Sequence, residues 1–263
     1  MPDPTRERHP FFASPPPRVL AHRGLVTQEG AARGVVENSF AAVAAAQAAG
    51  ATCVESDCHL TADGVVVLFH DEDLSRVTGD PRKVSEVTVR ELETLMAAKG
   101  GIITLGRALE AFPSLTFNLD VKAVGAAEQV GAEIASHGPR VLVTSLSDAR
   151  RRSALNAAAG AGRGIRPATS AGTATIVRVL LALALRLESR LARALAGIDA
   201  LQIPERQGPV RVLTPRLIAA AHRHGVEVHV WTVNDPADML RLVAMGVDGI
   251  VTDRADIALA ALP

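Results

Sequence analysis

The feature of this sequence that most constrains its fold is a regular alternation of short apolar runs with longer stretches rich in alanine and leucine. Short apolar runs bounded by turn residues favour strands, whereas the alanine- and leucine-rich stretches favour helices. Strands that alternate with helices predict a parallel sheet. The predicted strands are Arg18 to Ala21, Cys53 to Cys58, Leu115 to Val121, Val141 to Ser145, a weak run near Ile165, Ala200 to Ile203, Val226 to Thr232 and Gly249 to Thr252.

The number of strands and the chain length both fit one closed barrel. Eight strands within about 250 residues are typical of a TIM barrel. Helix boundaries agree with this spacing, because Asn38-Ser39 can cap a helix that ends at Gly50. We therefore predict an α/β fold of the TIM (β/α)8 class, with residues 18–263 forming a single domain.

Two segments depart from the alternation. Asp71 to Gly101 contains the turn signal Gly79-Asp80-Pro81, and we predict a small rim insertion there, after the second strand, with a helix near Val89 to Ala98. Residues 1–17 are polar and proline-rich, so we expect a disordered tail. This tail has no continuous apolar core of the kind found in secretion signals, which favours a cytoplasmic location.

The composition narrows the range of partners and compartments. The 28 basic and 28 acidic residues balance, which argues against nucleic acid as the main partner. Cys53 and Cys58 lie on one predicted strand, roughly 16 Å apart at the usual rise per residue. A disulfide needs Cα atoms within about 7 Å, so we expect two free thiols, as in a reducing compartment. The sequence leaves the oligomeric state open.

An unusually apolar run lies within residues 173–196. Val179 to Leu185 is entirely apolar and is bounded by Arg178 and Arg186. A stable membrane span needs about 20 apolar residues, so this run is too short to form one. Two interpretations remain: a long barrel helix whose first half is buried, or an apolar flap that makes transient contact with a lipid.

Several acidic residues fall on the same face of predicted strands. Glu55 and Asp57 point the same way because side chains alternate along a strand. Their mutual repulsion favours a bound divalent cation such as Mg²⁺ or Ca²⁺, although a solvated or arginine-paired face is the common alternative. Asp120 can complete this cation site, and Lys122, on the same face, can bind a phosphate oxygen.

Two histidines directly follow predicted apolar strands. His22-Arg23-Gly24 comes after the first strand, and His70-Asp71 comes after the run Val65 to Phe69. Histidine titrates near neutral pH, so a pair can act as general acid and base. Arg23 can make bidentate contacts to phosphate. Barrel enzymes take their catalytic groups from the carboxyl ends of several strands, which favours one site built from these residues.

Together with several other short motifs, these residues resemble the pattern of a known family. The run of motifs is similar to the signature of the glycerophosphodiester phosphodiesterase family, and the similarity extends from about Arg18 to Asp256. The motifs in the first half are His22-Arg23-Gly24, Glu37-Asn38-Ser39, Glu55-x-Asp57, Asp63-Gly64 and His70-Asp71. Those in the second half are Val230-Trp231-Thr232-Val233-Asn234 and the run from Gly246 to Asp253.

The resemblance implies a TIM barrel with one divalent metal ion, which cleaves glycerophosphodiesters to sn-glycerol 3-phosphate and an alcohol. It implies metal ligands at Glu55, Asp57 and Asp120. It implies a general acid and base at His22 and His70, in either order. It further implies substrate contacts at Arg23, Lys122, Trp231 and Glu37.

One position departs from the family pattern. Most members carry glutamate where this chain has Asp120, whereas the related sphingomyelinase D branch carries aspartate. The identity of the metal and of the alcohol group therefore stays open. One alternative is a lysophospholipase D or sphingomyelinase D-like enzyme that acts on lipid phosphodiesters with the same site. Another is a barrel that binds phosphodiesters without cleaving them, which is disfavoured because none of the expected acids and histidines is missing.

Overall fold

The chain folds as a barrel of parallel strands surrounded by helices, in a computed structural model that describes residues 8–161 and 164–263. The strands are β1 Arg18–His22, β2 Cys53–Leu60, β3 Val66–Leu68, β4 Thr116–Val121, β5 Val141–Thr144, β6 Ala168–Thr169, β7 Ala200–Ile203, β8 Arg206–Gln207, β9 Val210–Arg211, β10 Glu227–Val230 and β11 Gly249–Thr252. All eight predicted strands are found, and the predicted fold class is confirmed.

Helices follow most of the parallel strands. They are α1 Gln28–Ala32, α2 Phe40–Ala48, α3 Ser75–Thr78, α4 Val89–Met96, α5 Leu105–Ala111, α6 Ala127–Ile134, α7 Asp148–Ala161, α8 Thr173–Ala184, α9 Glu188–Leu195, α10 Pro215–Arg223, α11 Pro236–Ala244 and α12 Ala255–Ala261. Short 3-10 turns cover Pro10–Phe12, Val84–Glu86, Ala97–Lys99, Val124–Ala126 and Ala135–Arg140. The predicted cap at Ser39 is present, since its side chain accepts a hydrogen bond from Ala42 N.

The barrel closes through its weakest strand. The hydrogen-bonded order is β6-β5-β4-β2-β1-β11-β10-β7, and a single parallel bridge from Ser170 to Ala200 joins the two ends. Two residues of β6 are paired, Ala168 and Thr169, so the strand begins slightly later than the run predicted near Ile165. Outside this ring, β3 pairs antiparallel with β2, and β8 and β9 form a separate hairpin. Closure brings β1 and β11, the first and last strands, side by side.

An apolar layer fills the barrel at the amino ends of the strands. Leu20, Cys53 and Val251 form this layer together with Phe11 and Phe12. The prediction of a disordered tail was therefore wrong for residues 8–17, while residues 1–7 lie outside the described part of the chain. The physical reason is that the amino end of the barrel would otherwise expose apolar surface to water. Burying two phenylalanine rings against that surface is favourable. Both cysteines are buried free thiols, as predicted.

The rim insertion, residues 71–101, has a small apolar cluster of its own. Leu92 and Met96 of α4 pack there with Leu74 and Val84, against Phe69 from the barrel. Helix α4 occupies the position predicted near Val89 to Ala98 and starts at a capping box formed by its first turn. This cluster ties α3 and α4 to the rim beside His70, so the insertion is placed next to the carboxyl ends of the strands.

Residues 173–196 form two helices rather than one. Helix α8 ends at Ala184, Arg186 has a positive φ of 56°, and α9 begins at Glu188. The expectation of a single long helix was wrong because the chain turns at this point. The apolar run is divided by face: Val179 and Leu183 are buried, whereas Leu181 is 57% exposed. In the described residues, no helix combines the length and the apolar character needed to cross a membrane.

Candidate active site

The predicted site residues meet at the carboxyl ends of β1, β2 and β4. Strand register pairs His22 with Glu55 and Asp57 with Asp120 at the Cα positions. A cavity of about 220 Å³ opens at this end of the barrel. Eight of the nine predicted site residues line it: His22, Arg23, Glu55, Asp57, His70, Asp120, Lys122 and Trp231. The ninth, Glu37, lies behind Arg23.

His22 is oriented by a carboxylate from the last strand segment. Its Nδ1 lies 2.6 Å from Asp253 Oδ1, and Asp253 Oδ2 accepts a hydrogen bond from Asn234 Nδ2 at 2.7 Å. The hydrogen bond with His22 lowers the pKa of Asp253 below its usual value. With Nδ1 engaged, Nε2 is left for the cavity, where it lies 3.8 Å from Glu55 Oε2. Sequence reasoning left Asp253 unassigned, although its position directly after a strand was a usable signal.

His70 is oriented in the same way by its neighbour in the chain. Its Nδ1 lies 2.7 Å from Asp71 Oδ1, and Asp71 Oδ2 accepts a hydrogen bond from Arg76 Nε at 2.6 Å. Burial would raise the pKa of Asp71, but hydrogen bonds from Arg76 and His70 outweigh it and hold the pKa below its usual value. The ring of His59 lies 3.2 Å from the His70 backbone carbonyl oxygen. Both site histidines thus have Nδ1 fixed and Nε2 free to face a substrate.

Arg23 reaches the cavity because the chain bends sharply after β1. Arg23 has a positive φ of 59°, and Gly24 follows at 86°. A Cβ on Gly24 would lie 2.6 Å from the Ala42 carbonyl carbon, so only glycine fits this approach. Arg23 Nη1 donates to Glu37 Oε1 at 2.7 Å, and Arg23 Nε lies 3.3 Å from Asp57 Oδ2. Glu37 is therefore a partner of Arg23 and lies outside the cavity lining.

Asp57 is held by an asparagine that sequence reasoning did not select. Asn38 is buried, with a positive φ of 54°, and its Nδ2 donates to Asp57 Oδ2 at 3.1 Å. The other end of the amide is fixed by Ser56 Oγ, which donates to Asn38 Oδ1 at 2.6 Å. The sequence offered Asn38 as a helix cap and as part of the Glu37-Asn38-Ser39 motif, with no role at the site. In the structure Ser39 caps the helix, and Asn38 orients a site carboxylate.

Lys122 lies between two of the predicted metal ligands. Its Nζ is 3.2 Å from Asp57 Oδ1 and 2.9 Å from Asp120 Oδ2. Burial alone would lower the pKa of Lys122, but the Asp120 and Asp57 carboxylates raise it. Within residues 8–161 and 164–263, no three His, Cys, Asp or Glu side chains already form a metal-binding cluster. The Lys122 ammonium group therefore occupies part of the predicted metal site, between Asp57 and Asp120.

The remaining carboxylate oxygens nevertheless fit a cation. Glu55 Oε2 and Asp120 Oδ1 are buried and have no hydrogen-bond partner. Burial, and then the charges of Asp57 and Asp120, raise the pKa of Glu55 well above its usual value. Burial also raises the pKa of Asp120. Carboxylate oxygens are the ligands that Mg²⁺ and Ca²⁺ prefer, and these two are not already used by a hydrogen-bond donor.

A further unpaired group lies deeper in the cavity. Asn118 is fully buried, lines the cavity and is the Cα partner of Glu55 in the strand pairing. Neither its amide nitrogen nor its amide oxygen has a hydrogen-bond partner. Buried polar groups are nearly always paired, so an unpaired amide beside two unpaired carboxylate oxygens indicates a polar ligand at this position.

The arrangement suits chemistry on a phosphodiester. Arg23 and Lys122 supply positive charge to the cavity, and His22 and His70 each present one ring nitrogen to it. Guanidinium and ammonium groups bind phosphoryl oxygens, and paired imidazoles can transfer protons on both sides of a scissile bond.

Comparison with known proteins agrees with this geometry. The sequence model of the Glycerophosphoryl diester phosphodiesterase family matches residues 22–257. A Mycobacterium tuberculosis protein named Probable glycerophosphodiester phosphodiesterase 2 is 36% identical over 242 residues, which cover 90% of this chain and 88% of that protein. The rat protein Lysophospholipase D GDPD1 is 24% identical over 280 residues, covering 90% of this chain and 83% of that protein.

Among solved structures, a phosphodiesterase of Oleispira antarctica has the same fold. Its structure, described as a complex with the product sn-glycerol-3-phosphate, superposes with a TM-score of 0.69. The two sequences are 23% identical, and the match covers 94% of this chain and 96% of the other. With the family match over most of its length, the chain belongs to the glycerophosphoryl diester phosphodiesterase family and is a phosphoric diester hydrolase.

Proposed function

We propose that this enzyme hydrolyses glycerophosphodiesters to sn-glycerol 3-phosphate and an alcohol, with His22 and His70 as general acid and base. The observation that carries the proposal is the pair of histidine–aspartate contacts, His22 with Asp253 and His70 with Asp71. Each contact engages Nδ1, so Nε2 is the ring nitrogen left for the one cavity that both histidines line. The product named for the Oleispira antarctica phosphodiesterase supports the substrate class.

The cavity also favours a small polar substrate. Its volume of about 220 Å³ is below the roughly 300–1,000 Å³ of pockets that hold drug-sized ligands. Arg23 and Lys122 bind the phosphoryl oxygens and offset the charge that develops on them during the reaction. Trp231 forms part of the cavity wall. One histidine removes the proton of the attacking group, which is water or the substrate's own 2-hydroxyl, and the other protonates the leaving alcohol oxygen. Attack by the 2-hydroxyl gives a cyclic phosphate, which water then opens to glycerol 3-phosphate.

Glu55, Asp57 and Asp120 are the residues that would hold a divalent cation. When bound, such an ion polarises a phosphoryl oxygen and offsets its negative charge. The unpaired oxygens of Glu55 and Asp120 support this part of the proposal. Asn38 contributes by holding Asp57 in place from behind.

The histidine roles are tested by single substitutions. His22→Ala and His70→Ala should each lower turnover of glycerophosphocholine by roughly 10²–10⁴-fold. An activated p-nitrophenyl ester should partly restore turnover in the variant that lacks the acid. His222→Ala, at the opposite end of the barrel, is the matched control and should behave like the parent protein. Near-parent turnover of either site variant with the unactivated substrate would exclude that histidine as acid or base.

The cation is tested by removal and replacement. Chelation should abolish activity, and one divalent cation should restore it. Trp231 is the one tryptophan of a chain without tyrosine, so its fluorescence reports cation binding independently of activity. Asp120→Ala should weaken binding, and Asp120→Glu should retain activity better with Ca²⁺ than with Mg²⁺, because Mg²⁺ tolerates misplaced ligands less well. Full activity after exhaustive chelation would rule out the cation.

A lysophospholipid substrate is the second candidate, favoured by apolar residues at the cavity mouth. Leu146 is 63% exposed there, and Thr173 N, at the start of α8, donates to its carbonyl oxygen. Ile176 lines the cavity, and the next residue of α8, Val177, forms an exposed apolar face with Leu181, one turn further on. If this face contacts an acyl chain, Leu181→Glu should lower activity on lysophosphatidylcholine micelles and leave activity on glycerophosphocholine unchanged. Equal activity of variant and parent on micelles would contradict a lipid role for this face.

The proposal extends to the domain and the compartment. Residues 18–263 form the catalytic domain, with residues 71–101 as its rim insertion. We place the enzyme in the cytoplasm, a location with which the two free thiols of Cys53 and Cys58 agree.

A further inference from the structure

We infer that Arg76, on the rim insertion, is a positioning residue that fixes the orientation of His70 and of Arg23 at the same time. The inference rests on the proposed roles of these two residues at the phosphodiester. Arg76 itself is not among the residues that line the cavity, so it acts through its partners.

One guanidinium group holds two carboxylates. Arg76 Nε donates to Asp71 Oδ2 at 2.6 Å, and Arg76 Nη2 donates to Glu37 Oε1 at 2.6 Å. The planar guanidinium fixes the directions of both bonds, so the two carboxylates are held relative to each other. Asp71 and Glu37 are 34 positions apart in the sequence, and Arg76 joins them.

Each carboxylate in turn orients one group of the site. Asp71 Oδ1 lies 2.7 Å from His70 Nδ1, and Glu37 Oε1 accepts from Arg23 Nη1 at 2.7 Å. His70 follows β3 and Arg23 follows β1, so the network joins two separate segments of the rim. Without Arg76, Asp71 and Glu37 would keep like charges and lose their shared cation, which favours movement of both.

The usual alternative is that Arg76 forms a surface ion pair with no functional effect. Its side chain is 53% exposed, and exposed ion pairs contribute little to stability. Catalysis is more sensitive than stability to small displacements, because a shift of about 1 Å in a reacting group can cost roughly 10²-fold in rate. A positioning role therefore predicts a loss of turnover without a matching loss of stability, whereas a surface ion pair predicts neither.

The rim insertion provides a matched control. Arg82 is 42% exposed and forms ion pairs with Asp80 and Glu91, neither of which lines the cavity. Arg82→Met therefore removes from the same insertion an arginine that, like Arg76, is paired with two carboxylates. Arg76→Met and Arg82→Met should have similar melting temperatures, and any difference in turnover between them reports on the site.

We expect Arg76→Met to lower kcat for glycerophosphocholine by roughly 10- to 100-fold, the usual range for residues that orient catalytic groups. Arg82→Met should stay within about twofold of the parent. Arg76→Lys should recover only part of the loss, because one ammonium group cannot reproduce the fork. The parent value of kcat in Arg76→Met, or an equal loss in Arg76→Met and Arg82→Met, would overturn the inference.

If Arg76→Met also lowers the melting temperature, a mutant cycle that combines it with substitutions of both carboxylates separates a positioning role from a loss of stability. If Arg76 acts through Asp71 and Glu37, Arg76→Met should have little further effect on kcat in a protein that already carries Asp71→Asn and Glu37→Gln. A full and additive loss in that background would contradict the inference. Failure of the proposed function gives a different result, since His70→Ala would then retain near-parent turnover.

Discussion

The two ends of the barrel bury the same kind of side chain in opposite states. At the amino end, Glu227 accepts hydrogen bonds from Arg18 at 2.8 and 3.0 Å and lies 3.0 Å from His229 Nε2. Burial would raise the pKa of Glu227, but hydrogen bonds from His229 and Arg18 outweigh it and lower the pKa to about 2. At the carboxyl end, Glu55 has an unpaired oxygen, and burial and nearby acids raise its pKa well above the usual value.

This difference separates the end of the barrel whose buried charges stabilise the fold from the end whose buried charges are suited to binding a ligand. A buried carboxylate whose partners are all present stabilises the fold, whereas one without partners costs free energy that only a ligand recovers. Cavity size alone would mislead. A larger cavity of about 760 Å³ lies at the amino end, yet the acids that line it are paired: Asp199 with Arg166 at 2.7 Å and Asp248 with His222 at 2.7 Å.

The sharpest test of this contrast is the loss of the Asp57 carboxylate, which Lys122 joins to Asp120 beside the unpaired oxygens of Glu55 and Asp120. Asp57→Asn should lower turnover by at least about 10³-fold, since cation charge stabilisation is worth several kcal/mol. The melting temperature should stay within a few degrees of the parent value, because the amide can still pack beside Asn38. Steady-state kinetics and thermal unfolding measure both. Retention of more than a tenth of the activity would remove Asp57 from the cation site.

The matching change at the amino end should affect stability and spare activity. Glu227→Gln leaves the Arg18 guanidinium buried without its counter-charge, so the free energy of unfolding should fall by about 3 kcal/mol. Turnover per folded molecule should not change, because Glu227 is far from the cavity lining at the other end. Chemical denaturation measures the first quantity. An unfolding free energy equal to that of the parent would mean that the Arg18 contact is not stabilising.

Acidification should expose the same interaction without a substitution. The pKa of Glu227 is about 2 in the fold and has an ordinary value of 4.5 otherwise, so its ionised form stabilises the protein fully above pH 4.5. That contribution, at most about 3 kcal/mol, is lost as the pH falls from about 4.5 to about 2. Denaturation at several pH values should therefore show parent and Glu227→Gln converging in acid. Parallel curves would contradict the low pKa.

The smallest expected effect has the opposite sign. Glu55→Gln replaces a poorly compensated charge with a neutral side chain of the same shape, so the cation-free protein should gain about 1–2 kcal/mol of unfolding free energy. Because the pKa of Glu55 is raised, this gain should appear only as the pH rises above its ordinary value of 4.5. Denaturation in the presence of a chelator measures it. Destabilisation by this change at neutral pH would mean that Glu55 is a structural acid like Glu227.

Most of the fold could be predicted because its signals are local. The strand and helix patterns, the cap at Ser39 and the helix of the rim insertion each depend on a few neighbouring residues. The prediction for the amino-terminal tail was wrong because the prolines around Phe11 and Phe12 suggested disorder. The apolar amino end of the barrel, which buries these two rings, is formed by strands that are distant in the sequence. The break between α8 and α9 near Arg186 was not predicted, because an entirely apolar run does not show where a helix ends.

The same distinction between local and long-range signals applies to the site residues. Histidines and acids at strand ends were visible in the sequence because alternation on a strand fixes which side chains share a face. Asp71 follows His70 in the chain, but the pairings between residues far apart in the sequence could not be predicted. Asp253 meets His22 only because barrel closure places β11 beside β1, and Arg76 meets Glu37 only because the insertion folds back on the rim.

The sequence by itself determined the barrel, the family and the residue types that can act on a phosphodiester, because periodicity and short motifs depend on residues close together in the chain. The tertiary structure alone decided which of these residues are paired. Lys122 between Asp57 and Asp120, the unpaired oxygen of Glu55 and the fully paired Glu227 follow from distances between side chains on different strands. Those distances set the electrostatic energy of each buried charge, and the chain must close before they exist.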